Sequence, residues 1–160
     1  MTDSRAVAGL SYFSLNLAIP TLQVNPKSEA TTVSTIDIST MYKDYIACLN
    51  EQNWPELGKF VHKDVHYNDE RIGLSGYREM LERDFSQIPD LYFNIQLLIA
   101  ESAIIACRLG FACTPVGTFL SLPVNGRKVC FTENVFYQCR DEKIEHVWSV
   151  IDKAAIEAQL

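Results

Sequence analysis

The chain has 160 residues, 48% of them apolar, and a formal charge of −6; it is long and apolar enough to bury a core without disulfides or metals. Its 14 basic residues are dispersed among 20 acidic ones, which speaks against a nucleic-acid partner and against an anionic membrane surface. The five cysteines, Cys48, Cys107, Cys113, Cys130 and Cys139, form no CxxC pair and mostly stand inside apolar runs, so a reducing, cytoplasmic setting is expected.

Residues 1–35 read as a mobile extension. The run AVAGLSYFSLNLAIP has some targeting-peptide character, but Ser and Asn interrupt it and it is too polar to span a bilayer. The linker-like NPKSEATTVST follows, and the folded domain is expected over residues 36–160. There, Ile38, Met41, Tyr45, Cys48 and Leu49 recur at helical spacing behind a cap at Asp37 or Ser39. Trp54-Pro55 opens a shorter helix, Pro fitting the first turn. VHYND predicts a short strand, and the stripe Tyr77, Met80, Leu81, Phe85 predicts a helix starting at Ser75. His62 and His66 make an HxxxH, but in a turn-to-strand context without the helical geometry a zinc pair needs, so no metal site is expected.

From Leu91 the period becomes two: Leu91, Phe93, Ile95, Leu97 and Ile99 alternate with polar residues. SAIIACRLGFACT, RKVCFTENVFYQC and KIEHVWSVI give three more strands, VGTFLSLPVNG an irregular connection with an Asn125-Gly126 turn, and KAAIEAQL a closing helix. Helices followed by a run of antiparallel strands predict an α+β domain.

The segment FTENVFYQCRDEKIEHVWSVID (131–152) sets titratable groups among apolar ones. A two-residue turn at Asp141-Glu142 would pair Arg140 with Lys143, Tyr137 with His146, Val135 with Trp148 and Glu133 with Val150. Alternation then puts Glu133, Tyr137, His146, Trp148 and Asp152 on one face, with Asn134, Phe136, Val147 and Ile151 on the other. Facing a cavity, the first set would form an apolar pocket with a few titratable groups, suited to acid and base work. Each residue also has a plainer role: Asp152 as N-cap of the last helix, Glu133 as an edge-strand charge, His146 and Trp148 as ordinary surface or core. His66 and Asn68 share a strand face and are candidates for the pocket rim.

The segments VHKDVHYNDERIGLSGYREML, IPDLYFNIQLLIAE, GTFLSLPVNGRKVCFTENVFY and EKIEHVWSVIDKAAIEAQL together resemble the SnoaL-like polyketide cyclases, or ester cyclases, of the nuclear transport factor 2-like superfamily, over roughly residues 40–160. The resemblance implies a cone-shaped barrel of helices packed on a curved antiparallel sheet enclosing a pocket, a homodimer, and no cofactor. It implies a cyclase or isomerase of secondary metabolism acting on a small hydrophobic, polyketide- or terpenoid-like carbonyl substrate. By position in W-x-x-x-D, Asp152 takes the role of general acid/base, beside Glu133 and His146. His146, Tyr137 or Asn68 would donate to the enolate, and Phe131, Tyr137 and Trp148 would hold the ring system. Two positions depart from the family pattern: Asn68 stands where many relatives carry His, and HVW replaces HW. Two other functions stay open, a non-catalytic small-molecule binder and an epoxide hydrolase built on Asp152, Asn68 and Arg108.

Overall fold

The computed structural model describes residues 37–160; the extension expected over 1–35, with its targeting alternative, lies outside them. Helix α1 (Ile38–Asn50) starts at Asp37, whose carboxylate accepts the Ser39 amide and so satisfies a donor that the first helical turn leaves unpaired. Its apolar stripe, Met41, Tyr42, Tyr45, Ile46 and Leu49, is buried. Asn50 ends the helix and clamps the chain before the first long hairpin, with its side chain both donating to the Phe93 carbonyl and accepting the Phe93 amide. A 3₁₀ turn (Trp54–Lys59) with Pro55 in its first turn leads into strand β1 (Val61–Tyr67).

After the short strand β2 (Glu70–Arg71), helix α2 (Gly73–Gln87) begins two residues before the expected Ser75. Gly73 makes that start possible: its φ of +66° turns the chain out of β2, and a side chain there would crowd the Lys63 carbonyl. Strands β3 (Asn94–Glu101), β4 (Ile104–Cys113), β7 (Val129–Arg140) and β8 (Lys143–Ile151) follow as an antiparallel meander, interrupted by a two-stranded ribbon of β5 (Thr118–Phe119) and β6 (Leu122–Pro123). The ribbon turns at Leu120 and Ser121, both at positive φ. Helix α3 (Lys153–Glu157) ends the chain.

The main sheet has the order β2-β1-β8-β7-β4-β3. It is not wholly antiparallel: β1 runs parallel to β8, with His66 opposite His146. The pairing is possible because α2 and strands β2 to β7 lie between the two strands in sequence, far more chain than a parallel crossover needs. The sheet curves without closing, and α1 and α2 cover its inner face. Tyr42, Tyr45 and Leu49 of α1, Tyr77 and Leu81 of α2, Ile105, Leu109 and Phe111 of β4, Val135 and Tyr137 of β7 and Ile144 and Val147 of β8 belong to one buried cluster. At about 1.5–3 kcal/mol for each large apolar side chain removed from water, this single core holds helices and sheet together.

The β7–β8 register departs from the expected one. Arg140 pairs with Lys143 and Cys139 with Ile144 as expected, then a bulge shifts the ladder, and Gln138 faces His146. Glu145 is the additional residue. Beyond it Tyr137 pairs with Val147, Phe136 with Trp148, Val135 with Ser149 and Glu133 with Ile151. Because side chains alternate, one inserted residue exchanges the faces of everything that follows. His146 and Trp148 therefore share the outer face with Phe136, and Val147 and Ile151 join Glu133 and Tyr137 on the inner face.

Candidate active site

Along the inner face β7 presents Phe131, Glu133, Val135 and Tyr137 in turn, and all four line a cavity of about 220 Å³ between sheet and helices. The floor comes from Leu109 and Phe111 of β4 and Val147 and Ile151 of β8, and the cover from Tyr45 and Leu49 of α1 and Tyr77, Met80, Leu81 and Asp84 of α2. Phe119 and Leu120 reach in from the ribbon tip. One end is aromatic: Phe111 stacks on Phe131 at 5.0 Å, and Phe93 and Phe119 close around them at 5.5 and 5.7 Å. The other end is phenolic, with Tyr45, Tyr67, Tyr77 and Tyr137.

Glu133 sits between the two ends. Ser149, brought to the inner face by the bulge, donates its hydroxyl to the Glu133 carboxylate. Burial raises the pKa of Glu133 above the ordinary carboxylate range; the Ser149 bond works the other way, and the charge of Asp84 adds to the rise. Asp84 is itself pushed up to about 6 by burial, with Arg83 opposing. With Asp84 ionised, Glu133 holds its proton to higher pH.

The phenols are ordered by one another. Tyr42 donates to the Tyr137 hydroxyl at 3.2 Å, and the Tyr45 and Tyr77 hydroxyls are 2.6 Å apart. Burial holds all four well above the usual phenol range, so they remain neutral donors. Since Tyr137 accepts from Tyr42, its own proton is available to the cavity that it lines.

The sequence-selected residues fall into two groups. Glu133, Tyr137 and Phe131 come together in the cavity. His66, Asn68, His146, Trp148 and Asp152 do not line it. The rings of His66, His146 and Trp148 form a stacked run on the outer face, at 4.6 and 5.4 Å between centroids. His66 Nδ1 is buried there without a hydrogen-bond partner among the described residues. Trp148 Nε1 donates to Asp69 at 2.8 Å, and Asn68 accepts the Ser149 amide at 2.9 Å, which pins the end of β1 to β8. Tyr67, between His66 and Asn68, is the β1 residue that reaches the cavity.

Asp152 is exposed and accepts the Ala155 amide at 3.0 Å as the N-cap of α3. Arg108 bonds Asn134 on the outer face, so the hydrolase grouping of Asp152, Asn68 and Arg108 is not assembled. Asp84 and the phenols of Tyr45, Tyr67 and Tyr77 are additions to the sequence-selected set. A signal for Asp84 was present: it continues the helical stripe Tyr77, Leu81, Ile88, where periodicity calls for an apolar residue.

No curated protein matches the chain. The family model of the SnoaL-like polyketide cyclases matches residues 39–160. Among solved structures, a SnoaL-like polyketide cyclase of Agrobacterium tumefaciens strain C58 is 49% identical, with a TM-score of 0.76 over 76% of this chain and 96% of that one. TsrD of Streptomyces laurentii, at 22% identity and TM-score 0.67 over 76% and 92% of the two chains, shares the fold. So does IdmH of Streptomyces antibioticus, at 17% identity and TM-score 0.67 over 77% and 97%. With an inner-face cavity, a matching fold and a family model spanning its described part, the chain belongs to the SnoaL-like polyketide cyclase family.

Proposed function

We propose that the protein is a cofactor-independent cyclase or isomerase that moves a proton on the carbon next to a carbonyl, with Glu133 as base. The observation that carries this is a carboxylate held by Ser149 in the middle of an apolar cavity whose remaining polar groups are phenols and a second carboxyl. Burial makes Glu133 a stronger base than a free carboxylate. As it takes the proton, charge develops on the substrate oxygen, and the Tyr137 phenol, oriented by Tyr42, together with the Tyr45–Tyr77 pair supplies donors for that oxyanion. Asp84, protonated below about pH 6, returns a proton to the product carbon or oxygen. The aromatic end formed by Phe111 and Phe131 grips the ring system. In this scheme the base is Glu133 in place of Asp152, which acts as a cap.

Exchange in heavy water tests the proton transfer without requiring the natural substrate. The protein is incubated with 2-tetralone, and loss of its α-proton signals is followed by NMR. Wild type is expected to accelerate the exchange and Glu133→Gln to slow it by about 10²- to 10⁴-fold. Exchange that is unchanged in Glu133→Gln removes the base assignment. Binding of the ketone without any acceleration favours the carrier alternative.

We also propose that two copies pair through the outer sheet face. Leu97, Ile99, Phe136 and Val150 are each more than half exposed there, and Ile104 nearly so, an apolar surface of the kind that marks an interface. Arg108 and Glu101 on the same face carry opposite charges, as a two-fold, self-complementary contact requires.

A further inference from the structure

The cavity that serves as reaction site in the scheme above has a one-sided electrostatic character. Its ionisable lining is Asp84, Glu133 and tyrosines; among the described residues no Lys, Arg or His lines it. Arg83, the cation that Asp84 feels, is exposed on α2. Neither the phenols nor the Ser149 hydroxyl carries charge that could balance an incoming anion. An anionic ligand would lose its hydration and meet a carboxylate across a few ångströms of apolar space, where like charges repel strongly.

Size restricts the ligand further. About 220 Å³ lies below the usual range for sites that take drug-sized molecules. The walls that set this limit are well supported: Phe111 and Phe131 stack on one side, and buried Tyr77 and Leu81 stand on the other. The exception is the ribbon tip. Leu120 enters the cavity from a backbone φ of +49°, a conformation that a branched side chain adopts only at a cost and glycine adopts freely.

We propose that the site accepts only uncharged ligands of one or two fused rings and turns away free acids, phosphates and larger polycycles, with Glu133 and Asp84 as the charge filter and Leu120 as the size stop. Reaction steps that precede this one must then deliver a small ring compound with no ionised group.

Calorimetric titration of the full chain with two isosteres, 2-naphthamide and 2-naphthoate, at about pH 7.5 tests the charge filter, since only the second is then anionic. The amide is expected to bind and the naphthoate to bind at least about 30-fold more weakly. The Glu133→Gln/Asp84→Asn double variant should shrink that gap to about threefold or less. A second pair, 2-acetylnaphthalene and 2-acetylphenanthrene, tests the size stop: wild type should reject the three-ring ketone, and Leu120→Gly should admit it. Naphthoate binding within about threefold of the amide in wild type overturns the charge filter, and equal binding of the three-ring ketone overturns the size stop. Either result leaves the catalytic scheme standing if Glu133-dependent exchange of 2-tetralone persists. Failure of all four compounds to bind removes the cavity as a ligand site and this inference with it.

Discussion

The inner and outer faces of the β7–β8 pair hold similar inventories. Inside are Phe131, Glu133, Tyr137 and Ser149; outside are Phe136, Asn134, His146 and Trp148. Both lists mix aromatic with polar and titratable groups, and by composition either could be a site. The difference is cover. Inside, α1 and α2 exclude water, so Glu133 and Asp84 shift toward neutral pH and the phenols stay protonated. Outside, Phe136 and Val150 remain exposed, and the histidines stack on Trp148 without enclosing a space. The shifts come from what is laid over the sheet more than from which residues the sheet carries.

The sharpest way to break this contrast is to place one charge on each face at adjacent positions. Val135→Asp buries an unpaired carboxylate in the core and is expected to cost about 3–5 kcal/mol, while Asn134→Asp next to it stays within about 0.5 kcal/mol, both read from urea unfolding. Phe136→Asp should raise the dimer dissociation constant by about 30-fold or more, equivalent to about 2 kcal/mol, and leave the monomer nearly as stable. Sedimentation velocity across a dilution series reads this; a wild type that is monomeric throughout removes the pairing proposal.

Asp84→Asn sharpens the same contrast through pH. The folded acid titrates at about 6 against an ordinary value of 3.8. The native state therefore holds more protons than the unfolded one between those values, and wild-type stability falls as pH rises through that window. Above it, Asp84→Asn should be more stable than wild type by about 3 kcal/mol, and the advantage should vanish below about pH 4. An advantage that does not vary with pH would show that Asp84 is not the group titrating. The smallest effect is expected at Asp152→Asn. Asn caps as well as Asp, so stability should change by under about 0.5 kcal/mol, and the 2-tetralone exchange rate should stay at the wild-type level. A large loss of exchange there would return the base to Asp152.

The α+β architecture was legible because its signals are local. The stripe from Met41 to Leu49 and the alternation after Leu91 each reflect a face that must meet the core. Glu133, Tyr137 and Phe131 were legible for the same reason, since all three lie on β7 before the bulge enters the count. His146, Trp148 and Asp152 were misplaced because the extra residue at Glu145 depends on how two strands fit, and no residue type announces it. The parallel β1–β8 pairing, which sends Tyr67 inward and His66 outward, is likewise set across the whole domain. Asp84 was not among the residues selected from sequence, although its spacing from Tyr77 and Leu81 marks it as inward-facing.

The bulge at Glu145 also makes the hairpin tolerant of a change in length at one place and intolerant of it further on. Glu145 is the extra residue between the Cys139–Ile144 and Gln138–His146 pairs, so a chain without it would close the ladder with those pairs, and all beyond them, unchanged, and every side chain would keep its face. A residue lost further along β8, at Trp148 for example, meets no such slack. Ser149 would then move to the place opposite Phe136, on the outer face, and Glu133 would lose the hydroxyl that holds it. Comparison of β7–β8 hairpin lengths between related chains would show whether insertions and deletions keep to the bulge.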